Sequence, residues 1–75
     1  MLRVEAIKTE SGDLVEVGKV YYINHEGEVI GNYKATDIVI RPVNYTWSGI
    51  EVTVEVENDD GSVKEVDIES VSEAQ

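Results

Sequence analysis

A chain of 75 residues without cysteine and with a net charge of −10 has room for one small core and no disulfide, thiolate ligand or nucleophilic thiol. One domain over residues 1–75 and a reducing cytoplasm are expected. The charge has the wrong sign for neutralising nucleic-acid phosphates or anionic lipid, which excludes direct binding to either, and the first ten residues lack the apolar run of a signal peptide or a span.

Apolar residues recur with period two, Val is the commonest of them and Phe is absent, so strands are favoured over helices throughout. The first run sets Leu2, Val4 and Ala6 against Arg3 and Glu5 and predicts a strand with one face inward. Residues 9–13, "TESGD", have turn chemistry. Leu14 to Val17 leads through Gly18 into a second strand, "KVYYI", from Lys19 to Ile23. At "NHEG" a type I turn with left-handed Gly27 would pair Asn24 with Glu28 and set Ile23 opposite Val29. A short strand over Ile38 to Arg41 ends at Pro42, and "PVNYTWSG" is a loop.

In the last third, "NDDG" predicts a three-residue loop of Asp59, Asp60 and Gly61 with Asn58 opposite Ser62. Opposed residue numbers then sum to 120, which turns Val52, Val54, Val66 and Ile68 inward, together with Ile50 opposite Ser70. A four-residue loop would drive Val66 and Ile68 to solvent, and a one-residue slip flips a whole face, so burial selects the first register. The other face then stacks Glu51 on Glu69, Thr53 on Asp67 and Glu55 on Glu65, with Glu57 beside them. Like charges opposed on a sheet cost several tenths of a kcal/mol each, up to about 1. Charge also keeps exposed strands from pairing edge to edge, but mixed signs would do that while adding attraction. A single-sign face points to a basic partner.

The order "LRVEAIK", then Val17-Gly18-Lys19 with Tyr21, then a strand, Asp59-Asp60-Gly61 and a return strand running into Asp67–Val71 resembles the small SH3-like β-barrels of bacteriophages and Gram-positive bacteria. The resemblance covers about two thirds of the chain. It implies an all-β, SH3-like barrel of five to six antiparallel strands with a short 3-10 turn near the C-terminus. Residues 26–49 are longer than the usual connection and suggest an inserted strand or hairpin, and Gln75 leaves little length for a final barrel strand. The aromatic motif of peptide-binding SH3 domains is missing, so polyproline recognition is not carried over.

Catalysis finds little footing. His25, the only histidine, falls in a turn without a positioned partner. The serines lack a neighbouring base, zinc ligand sets cannot be assembled, and the spacing around "NDDG" is not that of a calcium loop. No cofactor or metal is expected. A lone Trp in so small a chain is ordinarily core or half-buried, yet Tyr45 and Trp47 fall in a loop, where aromatics serve as interface anchors. The sequence thus predicts a non-enzymatic acidic protein that engages a basic protein surface through Glu51, Glu55, Glu57, Glu65, Asp67, Glu69, Tyr45 and Trp47. A phage-encoded mimic of nucleic acid, directed at a nucleic-acid-binding host protein, is its sharpest form. The alternative is an assembly module that forms a homo-oligomer, or docks a sister subunit, through a sheet edge and the Trp47 loop.

Overall fold

The computed structural model describes residues 2–73 and is all-β apart from one 3-10 turn. In chain order the strands are β1 (Leu2–Val4), β2 (Ala6–Lys8), β3 (Leu14–Glu16), β4 (Val20–His25), β5 (Glu28–Pro42), β6 (Ile50–Glu57), β7 (Val63–Asp67) and β8 (Val71–Glu73), with the 3-10 turn at Ile68–Ser70. The main antiparallel sheet runs β7-β6-β5-β4-β8, β1 adds to β5, and β2 and β3 form a second two-stranded sheet. The eight strands among the described residues exceed the five to six expected. The ladders leave β7 and β8 at opposite ends of the path, so the sheets do not close into a barrel. No helix among the described residues is long and apolar enough to cross a membrane.

The 15-residue β5 organises the molecule. Its first half pairs with β4, its second half with β6, and residues 38–40 also with β1. The sequence predicts Glu28 and Val29 as the return of a hairpin and residues 38–41 as a separate short strand, with "GN" and "AT" unassigned between them. Both are absorbed as bulges. Gly31 and Asn32 together face Tyr22 where the β4 register shifts, and Thr36 is the extra residue between the Ala35–Val56 and Asp37–Glu55 pairs. Each insertion bends the strand and restores its alternation. Tyr33 and Ala35, then Ile38, therefore point inward and are buried.

They pack with Val15, Tyr21, Ile23, Val54, Val56, Ile68 and Val71 in one core, against which Val4, Ile7, Ile30, Val52 and Val66 lie half-buried. The Tyr21 hydroxyl reaches into this core and accepts a 2.7 Å hydrogen bond from the Glu16 backbone N–H, tying β3 to β4.

Three local expectations are corrected. The first run is not one strand: the chain bends at Glu5, β1 joins the main sheet and β2 pairs with β3, so Val4 and Ile7 turn inward while Leu2 and Ala6 are exposed. In the "NHEG" hairpin both Glu26 and Gly27 have positive φ, 51° and 85°, the signature of a two-residue type I′ loop. His25 therefore pairs with Glu28, and Ile23 meets Ile30 rather than Val29. That register turns Ile23 and Ile30 to the core side, the first buried and the second half-buried, and leaves Val29 exposed. Third, the β6–β7 ladder stops at Thr53–Asp67. Asp67 accepts a 2.9 Å hydrogen bond from the Glu69 N–H and turns the chain into the 3-10 segment. Val52 consequently does not oppose Ile68, nor Ile50 Ser70, nor Glu51 Glu69. Up to that point the expected register holds, with Val54 opposite Val66 and Glu55 opposite Glu65. The loop at its tip has the expected bonds, Asn58 N–H to Ser62 carbonyl and Gly61 N–H to Asn58 carbonyl, both 2.9 Å.

Candidate functional site

Directly opposed residues share a face, so the pairings map the outer side of the sheet. Glu51, Thr53, Glu55 and Glu57 of β6 lie between Glu65 and Asp67 of β7 and a row on β5 made of Lys34, Asp37, Val39 and Arg41. Arg3 of β1 sits opposite Val39 on the same side. The face gathers the predicted Glu51, Glu55, Glu57, Glu65 and Asp67, but it is not of single sign.

Arg41 reaches across β6 to Glu65 in a bidentate pair, both contacts 2.9 Å. These two hydrogen bonds and the accompanying charge hold the Glu65 carboxyl below the usual glutamate range and raise Arg41. Arg3 pairs with Asp37 at 3.0 Å, Lys34 lies opposite Glu57, and the Thr36 hydroxyl is 3.1 Å from both the Glu55 carbonyl and its carboxylate. Beneath these charged groups Val39 and Thr53 are buried. The repulsion expected between Glu55 and Glu65 is thus offset by cations from strands that are distant in sequence.

The turn acids serve the turn. Asp60 accepts from both the backbone N–H and the hydroxyl of Ser62, which depresses its pKa, and Asn58 accepts from the Asp59 N–H at 2.7 Å. His25 is exposed at the end of β4. Among the described residues, no group of three or more His, Cys, Asp or Glu side chains is placed to hold a metal ion.

The loop of residues 43–49 is internally tied. Val43 N–H donates to the Gly49 carbonyl at 2.9 Å, and the Thr46 hydroxyl donates to the Ile50 carbonyl at 3.1 Å. This bracing leaves Tyr45 exposed and Trp47 wholly exposed, at 107% of its reference area. Trp47 is therefore not a core residue. The Glu51 carboxylate beside the Tyr45 hydroxyl, with partial desolvation, raises the Tyr45 pKa above the ordinary phenol value. Beside the loop runs a groove of about 420 Å³, bounded by β2 and residues 9–10, the loop, the start of β6 and the 3-10 turn. Glu51, Asp67, Glu69 and Tyr45 line it, joined by Glu10, Lys8, Ile7, Ile50, Val52 and Ile68.

The predicted set is thus divided. Glu55, Glu57 and Glu65 stay on the sheet face, Glu69 belongs to the groove, and Glu51 and Asp67 border both. Sequence spacing does not report Ile50 as a neighbour of Ile7 and Glu10, since two segments some forty residues apart bring them together. Comparison with protein-family models, curated proteins and solved structures finds no match to this chain.

Proposed function

We propose that this protein is a non-enzymatic binding module that engages a basic surface of a partner protein, with Trp47 and Tyr45 as anchors and the adjoining carboxylates as the charged rim. The observation that carries this reading is Trp47, the only tryptophan, held entirely in solvent at the tip of a hydrogen-bonded loop. An exposed aromatic beside charge is the make-up of an interface hot spot. The net charge of −10 adds long-range attraction, which speeds encounter with a cationic partner and weakens with salt.

An SH3-like arrangement fits the same reading. It is supported by the β4–β7 meander, the long bent β5, the 3-10 turn after β7 and the return of β8 to β4. A phage-encoded protein acting in the host cytoplasm as a nucleic-acid mimic is the narrower form of the proposal. It draws support from Glu55 and Glu57 about 7 Å apart on β6, with Glu51 about 13 Å from Glu55 beyond Thr53, while Arg3, Lys34 and Arg41 interrupt the array on its β5 side. Assembly is the second reading. It is favoured by β7, which among the described residues pairs only with β6 and leaves an edge open.

Sedimentation and capture from bacterial lysate at two salt concentrations separate the two. The binding reading expects a monomer whose basic partner is lost at high salt, with Trp47→Ala, and with Glu51, Glu55, Glu65 and Glu69→Gln together. A closed oligomer whose lysate capture is indifferent to the four glutamines sinks it in favour of assembly.

A further inference from the structure

The groove beside the Trp47 loop contains more than a purely electrostatic contact needs. Its floor is aliphatic, formed by Ile7, Ile50, Val52 and Ile68. Ile50 shares the inward side of β6 with Val52 and Val54, yet is 44% exposed, because the chain beyond Asp67 turns away and no β7 residue covers it. The rim is acidic, and its carboxylates lie outside the ion pairs of the sheet face, with Glu51 opposite the Arg41 that pairs with Glu65. On the sheet face Glu65 and Asp37 are engaged by Arg41 and Arg3, whereas among the described residues no ion pair engages Glu10, Glu51 or Glu69. Lys8 is the one cation in the lining. The volume lies within the roughly 300–1,000 Å³ of ligand clefts, and the groove is partly open to solvent.

We propose that this groove seats an extended segment of a partner protein in which an aliphatic side chain is flanked by lysine or arginine. The aliphatic group lies on the isoleucine floor, where burial favours it. The flanking cations meet Glu10 on one side and Glu51 and Glu69 on the other, and Trp47, outside the groove lining but exposed between the groove-lining Thr46 and Ser48 in sequence, is within the reach of a segment that runs past the loop. The proposal rests on the reading that the partner is basic, and it specifies where that partner binds and by what kind of segment.

The test is a titration of Trp47 fluorescence, confirmed by calorimetry, with the peptide Lys-Arg-Leu-Arg-Lys. The same peptide with Ser for Leu and free arginine amide are the controls. The groove predicts binding that falls about tenfold on Glu10→Gln/Glu51→Gln/Glu69→Gln, the loss three exposed charge pairs would give together. It also predicts several-fold weaker binding of the Ser peptide and no change on Glu55→Gln/Glu57→Gln. All of these substitutions are at exposed or half-exposed positions, and matched thermal midpoints verify that the variants are folded. Equal losses from the two sets of glutamines, or indifference to Leu, overturn the groove while leaving a diffuse basic contact intact. Arginine amide binding as tightly as the peptide reassigns the site to a small cation and also overturns it. Absence of binding by every ligand overturns the groove alone, because the lysate capture decides the broader reading independently.

Discussion

Gly31→Ala tests the bend in β5 through a single methyl group. Gly31 is not in the left-handed region, so alanine is compatible with its backbone, and in open space the change would stabilise by about 0.5–1 kcal/mol through reduced unfolded-state freedom. Space is what it lacks. A Cβ there would lie 2.6 Å from Cε1 and 2.8 Å from Cδ1 of Tyr22, which packs across the bulge. Carbon atoms prefer roughly 3.5–4.0 Å, so ring and strand must part by about 1 Å, an overpacking that costs about 1–3 kcal/mol. For a domain of this size each kcal/mol moves Tm by roughly 4–8 °C, which places the loss between roughly 4 and 24 °C. Far-UV circular dichroism is the appropriate readout, since solvent-exposed Trp47 is a poor reporter of core packing. The decisive measurement is the same substitution in a Tyr22→Ala background, where the obstruction is gone and the effect should change sign to a small stabilisation. An equal loss in both backgrounds, or no loss in the parent, would refute the close approach and with it the two-for-one bulge at Gly31–Asn32.

Two further predictions concern the core and the charged face. Ile38→Ala empties the fully buried centre of β5 and should cost about 2–5 kcal/mol. That is a large share of the roughly 4–11 kcal/mol typical of a 75-residue domain, and urea unfolding would measure it; a loss below about 1 kcal/mol contradicts the packing. The Glu65 carboxyl is depressed in the folded state by Arg41. Its contribution is therefore fully present above the ordinary glutamate pKa of 4.5 and disappears as pH falls through the lower folded value. Arg41→Met should be less stable than the parent at neutral pH, and the gap should narrow toward acid and in high salt. A gap that is constant with pH assigns Arg41 a packing role instead.

Much of the acidic face could be read in the sequence, and its electrostatics could not. Glu55 and Glu65 were placed opposite each other because only one hairpin register turns Val54 and Val66 inward, a constraint contained within some twenty neighbouring residues. Arg41 and Arg3 reach the same face through β5 and β1, and no spacing rule reports which strand will lie beside β6. Glu69 left the face because the Asp67 side chain captured its N–H, a local hydrogen bond that competed with continuing the ladder. The "NHEG" hairpin differs by one residue from the register its sequence suggests, since Glu26 adopts a left-handed conformation that its residue type does not advertise.

The all-β character, the inward Val54 and Val66, the geometry of the "NDDG" turn and the total charge are therefore determined by the sequence itself, because alternation and turn sterics act over a few bonds. Tertiary structure decided that β5 runs unbroken through two bulges, which cations meet which carboxylates, that Trp47 stands in water, and that Ile7, Glu10, Ile50 and Glu69 enclose one groove. Those outcomes depend on sheet order and strand curvature, which arise only when the whole core packs at once.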